Sequence, residues 1–234
     1  MFGLSFVTGM FKEFFMIFFI VLFHEFGHLL MAKYYKWNFD KIAVYPFGGC
    51  TKFDEKINRS MKEELFILFN GPMFQMILFV FVFILFNEGF ISFRNYTIFK
   101  HYHYTLLLFN LLPIYPLDGG KILNIVINYF YPFKKGNKLV IVISSFILIV
   151  MLLLYKNLNF TLMGILLFTE LIIYFKRQDF LYNRMLLERY MFPFNFSKFK
   201  IIKNKNSMYK DRRHIVLYKG KYITEKDYLN KRFR

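Results

Sequence analysis

Long apolar stretches with almost no charged residues dominate this 234-residue chain. A helix needs roughly 20 residues to cross the hydrocarbon core of a bilayer, and this many apolar stretches cannot share one soluble core in so short a chain. The hydrophobic content of 56% and the mean hydropathy of +0.35 agree with a membrane setting. The sequence therefore predicts membrane spans over residues 14–34, 65–87, 139–155 and 160–175, and a further span that begins near His101.

Prolines and glycines mark where the chain departs from regular helix. Pro113 and Pro116 interrupt the span that begins near His101, because an internal proline removes a backbone hydrogen bond. Broken helices at membrane depth are tolerated where they line a protected cavity, so chemistry is expected at this break. Residues 46–49, Pro-Phe-Gly-Gly, lie between two short alternating stretches and predict a β-hairpin-like loop.

The predicted fold is therefore an all-α polytopic membrane protein with five to six transmembrane helices, one of them broken, a short β-hairpin-like loop and a small cytoplasmic α/β tail. The sequence predicts two domains, an intramembrane domain over residues 1–176 and a basic tail over residues 177–234.

The charge distribution sets the orientation. The chain has a net charge of +17, and most of the excess follows residue 176. Lysine and arginine beside membrane helices are retained on the cytoplasmic side, which predicts a cytoplasmic tail next to the lipid bilayer. No nucleic-acid recognition motif accompanies the charge, so we expect no nucleic-acid partner. Cys50 is the only cysteine, which excludes an internal disulfide.

The end of the tail has the pattern of a small folded unit. His214–Tyr218 predicts one strand, Lys219-Gly220 a turn, and residues 221–223 a second strand. Thr224 with Asp227 three residues later is typical of a capping box that opens a short helix.

The sequence His24-Glu25-Phe26-Gly27-His28 is an H-E-x-x-H motif. On a helix the two histidines lie one turn apart on one face, so both imidazoles can reach one metal ion, with Glu25 beside them as a base. The alternative is that these groups only form hydrogen bonds to neighbouring helices. Ionisable groups within a membrane span are costly, however, and usually mark function.

A catalytic zinc ion usually has three protein ligands and an open position. Among the acids near the spans, Glu64 and Glu88 lie at span ends, and a structural hydrogen bond is the expected role of Glu170. Asp118 directly follows the broken helix and precedes two glycines. Its alternative role is to cap a helix that begins at Lys121.

The combination of H-E-F-G-H in a membrane helix and N-L-L-P-I-Y-P-L-D-G-G at residues 110–120 resembles the site-2 protease family of intramembrane zinc metalloproteases, and its stage IV sporulation protein FB branch in particular. The resemblance implies that His24, His28 and Asp118 bind Zn²⁺ and that Glu25 activates water. It also implies that Asn110 positions the substrate or polarises the scissile carbonyl. An interhelical hydrogen bond is the alternative role for Asn110.

The same resemblance implies a membrane-tethered substrate, the precursor of sporulation sigma factor K, and membrane-bound regulators. The resemblance also implies that the protein lies in the cell membrane or the forespore outer membrane. Residues 1–11 resemble only the last part of the first helix of that branch, and residues 206–234 resemble a truncated fragment of its C-terminal CBS domain. Two alternatives remain open, a membrane metal transporter and a non-catalytic relative that binds membrane partners.

Overall fold

The computed structural model describes residues 11–37, 39–45, 48–53, 56–196, 198–203, 207–218 and 220–233. The predicted turn residues Pro46 and Phe47 and most of the predicted partial first helix lie outside these ranges. The elements in chain order are α1 (Phe11–Tyr34), β1 (Phe39–Tyr45), β2 (Gly48–Phe53), α2 (Met61–Asn87), α3 (Phe93–Asn110), α4 (Asp118–Phe130), α5 (Phe133–Leu154), α6 (Leu158–Lys176), α7 (Gln178–Met191), β3 (Phe199–Ile202), β4 (Arg213–Tyr218), β5 (Lys221–Thr224) and α8 (Glu225–Phe233).

Four of the described helices, α1, α2, α5 and α6, are long and apolar enough to cross a membrane. They match the four apolar stretches of the sequence, which confirms the mainly helical membrane fold. The helix α3 is not among them, and the total of five to six spans stays a prediction. The prediction that this helix begins near His101 was wrong, because it begins at Phe93, directly after Ser92. Its first turns carry polar residues such as Arg94 and Asn95. These residues are compatible with a helix, but they are not apolar, so a search for apolar stretches misses this part of it.

The chain divides into two compact units, residues 1–55 with 63–112 and residues 56–62 with 113–234. In the first unit β1 pairs antiparallel with β2, and Tyr45 lies opposite Gly48, so the predicted hairpin-like loop is confirmed. The helices of this unit share a buried cluster of Ile20, Leu78 and Phe99. The predicted domain boundary at residue 176 stays a prediction.

The second unit contains α4 to α8 and a three-stranded sheet in the order β3-β4-β5. The two predicted strands are confirmed as β4 and β5, which pair antiparallel. Thr224 caps α8 as predicted, because the backbone N–H of Asp227 donates to Thr224 Oγ1 at 3.2 Å. The Asp227 carboxylate accepts from the same hydroxyl group, so the second bond of a full capping box stays a prediction. The sequence did not predict β3, whose partner β4 lies parallel to it. The core of this sheet and of α7 contains Tyr182, Met185, Leu186, Ile202, Met208, Val216, Tyr228 and Leu229.

The predicted helix break is confirmed. The helix α3 ends at Asn110, and α4 begins at Asp118 after a segment that contains Pro113 and Pro116. The alternative in which Asp118 caps a helix that begins at Lys121 is wrong. Asp118 is already the first helical residue, and Leu117 occupies the cap position without a side-chain hydrogen bond.

Candidate metal centre

Two histidines of α1 come together within the first unit. His24 and His28 lie one turn apart and are both buried. Their Nε2 atoms are 3.1 Å apart, and their ring centroids are 4.8 Å apart. The helical spacing predicted this shared face, and the structure confirms it.

The other nitrogen of each ring is held by an oxygen of α2. Nδ1 of His24 lies 2.9 Å from Gln75 Oε1, and Nδ1 of His28 lies 2.8 Å from the backbone oxygen of Ile67. A carbonyl oxygen can only accept, so each Nδ1 carries the hydrogen in these bonds. In a neutral imidazole the Nε2 atom then presents a lone pair. The surroundings therefore set the same tautomer for both rings.

This geometry fits a shared metal ion. Two lone pairs held 3.1 Å apart repel each other, whereas a cation between them would attract both. Zn–N bonds of 2.0–2.1 Å in a tetrahedron place two ligand nitrogens about 3.3 Å apart, close to the spacing here. Metal-binding histidines characteristically donate their second N–H to a carbonyl or carboxylate, as both rings do. The chemistry and spacing of the histidines thus suit zinc.

Close packing of α1 on α2 brings the α2 oxygens within reach. A Cβ atom added at Gly71 would overlap the ring of His28, and one added at Gly27 would overlap the backbone oxygen of Asn70. Asn70 Nδ2 also donates to the backbone oxygen of Gly27 at 2.9 Å. The glycine at each contact is therefore a steric requirement of the site.

Glu25 and Asn110 also belong to the first unit. Glu25 follows His24 on α1 and is buried, which is the position the motif predicts for a base. Asn110 is the last residue of α3 and is half-buried. Their chemical roles stay predictions.

Asp118 lies in the second unit, in the first turn of α4, and is buried. Its Oδ1 lies 3.2 Å from Nζ of Lys121, one turn further along the helix. The positive end of the helix dipole and the ammonium group of Lys121 both attract a negative charge at this position. The predicted donor set, two imidazoles and one carboxylate, is thus available in buried form, although the role of Asp118 as a ligand stays a prediction.

The segment that precedes Asp118 is held by groups that the sequence did not single out. Ser144 Oγ accepts the backbone N–H of Tyr115 at 3.1 Å. The Tyr115 ring stacks on Tyr174 with centroids 3.9 Å apart. A Cβ atom at Gly120 would overlap the backbone at Ile114, which explains this glycine after the aspartate. The sequence feature that could have indicated these groups is a hydroxyl group within an apolar span, at Ser144 and again at Tyr174.

Two curated proteins are similar in sequence to this chain, and the sequence model of Peptidase family M50 matches residues 12–104. Stage IV sporulation protein FB of Bacillus subtilis is 31% identical over 197 residues, which cover 80% of this chain and 67% of that protein. A zinc metalloprotease of Methanocaldococcus jannaschii is 33% identical over 147 residues, or 60% of this chain and 41% of that protein.

A solved structure of the site-2 protease from Methanocaldococcus jannaschii is similar in fold, with a TM-score of 0.57 and 29% identity. The match covers 72% of this chain and 81% of that one. Both motifs, the membrane helices and these relatives agree. The chain therefore belongs to Peptidase family M50, the site-2 protease family, and is a zinc metalloendopeptidase of the membrane.

Proposed function

We propose that this chain cleaves a membrane-tethered protein precursor in or near its membrane segment, using zinc held by His24, His28 and Asp118. The observation that carries the proposal is the approach of the two Nε2 atoms to 3.1 Å while both Nδ1 atoms donate to carbonyl oxygens. A metal transporter could use the same ligands, but it has no particular need for a base at Glu25.

Charge supports Asp118 as the third ligand. Two neutral imidazoles leave the full double charge of zinc uncompensated in a low-dielectric setting, where an isolated ion is costly. A carboxylate halves that charge, and Asp118 is buried next to the helix break. The set of two histidines and one acid is also a common catalytic zinc set that leaves one position open.

Glu25 would move the protons of the reaction. Zinc bound here supplies Lewis acidity, which lowers the pKa of a water molecule and polarises the scissile carbonyl. The Glu25 carboxylate takes the proton from the attacking water and returns it to the departing amine. The Asn110 amide, at the end of α3, donates a hydrogen bond that positions the substrate backbone. A substrate helix hides its carbonyls in its own hydrogen bonds, so it must unwind before Glu25 can act.

The proposed substrate is the precursor of sporulation sigma factor K, in the cell membrane or the forespore outer membrane. Support comes from the similarity to stage IV sporulation protein FB over 80% of this chain. The chain crosses the membrane several times with its basic tail in the cytoplasm, on the side of a cytoplasmic transcription factor, and membrane-bound regulators would control access.

Co-expression in a heterologous bacterium with a tagged sigma-K-type precursor tests the proposal. The wild type is expected to give a shorter product, and Glu25→Gln is expected to give none because it removes the base while keeping the size of the side chain. Equal product from both would assign cleavage to a host protease and contradict the proposal. No product from a zinc-loaded wild type would reject this precursor as the substrate.

A further inference from the structure

Both polar atoms of the Gln75 side-chain amide form hydrogen bonds, although this residue lies in an apolar membrane helix. It is fully buried in α2. Its Oε1 accepts the N–H of His24 Nδ1 at 2.9 Å, and its Nε2 donates to the backbone oxygen of His103 at 3.0 Å. Because a backbone oxygen can only accept, the contact with His103 fixes which end of the amide is nitrogen. The end that faces His24 is therefore the oxygen.

The acceptor on α3 is itself held in place. The ring of His103 is fully buried, and its centroid lies 4.8 Å from Phe79 and 5.9 Å from Phe99. Neither ring nitrogen of His103 has a hydrogen-bond partner among the described residues, so packing rather than polar contacts holds this ring. Because His103 also lies within the helix α3, its backbone oxygen is a fixed point for Gln75.

We infer that Gln75 is a positioning residue that sets the tautomer and angle of His24 and ties this ligand to the backbone of α3. The inference rests on the proposed role of His24 in binding zinc. The helix α3 ends at Asn110, two turns beyond His103, so one buried amide joins the histidine to the helix that carries the proposed substrate-positioning residue.

Glutamine is the side chain that meets both requirements. The site needs an acceptor towards His24 and a donor towards His103, and a primary amide supplies both at a fixed separation. Methionine has a similar length but forms neither bond well. Asparagine offers the same groups on a chain one methylene shorter. Glutamate keeps the acceptor, and it keeps the donor only when it is protonated.

The test is the zinc affinity of the purified full-length protein in detergent, measured by competition with a chelator. Gln75→Met and Gln75→Asn are expected to bind zinc about 10–100-fold more weakly, the usual cost of losing such a partner. Gln75→Glu, which retains the acceptor towards His24 but keeps the donor towards His103 only when protonated, is expected to have an affinity between that of the wild type and that of these two variants. The visible spectrum of the cobalt-substituted protein should shift in the first two variants, because the angle of one imidazole changes.

Asn137→Leu is the matched control. It removes another buried hydrogen bond between two helices, that of Asn128 Nδ2 in α4 to Asn137 Oδ1 in α5 at 2.8 Å, without touching a ligand ring or a contact of Gln75. This control is expected to lower the thermal stability and to leave zinc affinity and the cobalt spectrum unchanged.

Wild-type zinc affinity in Gln75→Met and Gln75→Asn would overturn the inference, as would an equal loss of affinity in Asn137→Leu. A wild type that binds zinc but leaves the sigma-K-type precursor intact would instead reject the proposed substrate. In that case the difference in affinity between the wild type and the Gln75 variants still decides the role of Gln75.

Discussion

Two buried polar clusters of this protein, one around Arg189 in the tail and one at His24 and His28 in α1, differ in how their polar atoms are paired. In the tail, the Arg189 side chain is almost fully buried and has five N–H donors. All five meet protein oxygens at 2.6–3.0 Å: Asn58 Oδ1, Glu225 Oε1 and the backbone oxygens of Tyr209, Lys210 and Arg212. This tail cluster satisfies its own charge and donors, which is the pattern of a structural network.

The histidines make the same contrast. In the tail, His214 Nε2 accepts the backbone N–H of Tyr209 at 2.9 Å, and its Nδ1 lies 3.0 Å from Glu225 Oε2. Each nitrogen of His214 thus has a hydrogen-bond partner of the opposite kind, and Nδ1 lies in addition 3.3 Å from Arg189 Nη1. In α1, His24 and His28 turn like nitrogens towards each other at 3.1 Å. Lone pairs directed at one point indicate a cation site, whereas alternating donors and acceptors indicate a packed core.

The largest expected effect separates these two kinds of histidine. His28→Asn should weaken zinc binding by more than about 100-fold, since even the partners of ligands are worth 10–100-fold. His214→Asn should leave zinc binding unchanged, because both nitrogens of His214 serve the tail. Metal analysis of the purified variants after dialysis against a chelator measures the difference. A similar loss of zinc in both variants would remove the distinction.

Breaking the tail cluster should have a large but local effect. Arg189→Met leaves the partly buried Glu225 carboxylate without the guanidinium that pairs with it, and breaking a buried pair typically costs about 3–5 kcal/mol. Hydrogen exchange of the β4 and β5 amides should accelerate by roughly two to four orders of magnitude, at 1.36 kcal/mol for each factor of ten. The double variant Arg189→Met with Glu225→Gln should recover part of the protection. Unchanged exchange in Arg189→Met would show that the cluster does not stabilise the sheet.

The smallest expected effect is a pH dependence confined to the tail. Burial lowers the pKa of His214, against the opposing hydrogen bond from Glu225. Burial alone would raise the pKa of Glu225, but the hydrogen bond from His214 and the charge of Arg189 outweigh it and lower the pKa to about 2.

Both groups therefore bind protons more readily in the unfolded tail than in the folded one. The stability of the tail is expected to fall as the pH drops below the ordinary histidine value of about 6.5, and again between about 4.5 and 2. Between pH 7 and pH 5 the loss is expected to come from His214, because its pKa is lowered in the folded tail. Hydrogen exchange of the β4 amides, corrected for intrinsic rates, measures it. Higher protection at pH 5 than at pH 7 would give the opposite sign and contradict this assignment.

The sequence predicted what depends on local spacing. His24 and His28 could be paired because one helical turn separates them, and the break before Asp118 could be predicted because proline cannot continue a helix. Pairings across long separations could not be predicted. Gln75 is 51 residues from His24, and Asn58 is 131 residues from Arg189, so only the folded chain brings them together.

Zinc X-ray absorption of the purified full-length protein tests the central claim most directly. One zinc ion per chain is expected, with nitrogen and oxygen neighbours at about 2.0–2.1 Å and the outer-shell signal of two imidazoles. The imidazole signal should fall to one ring or disappear with the metal in His28→Asn. Zinc with no imidazole neighbours, or a spectrum unchanged in His28→Asn, would contradict the account.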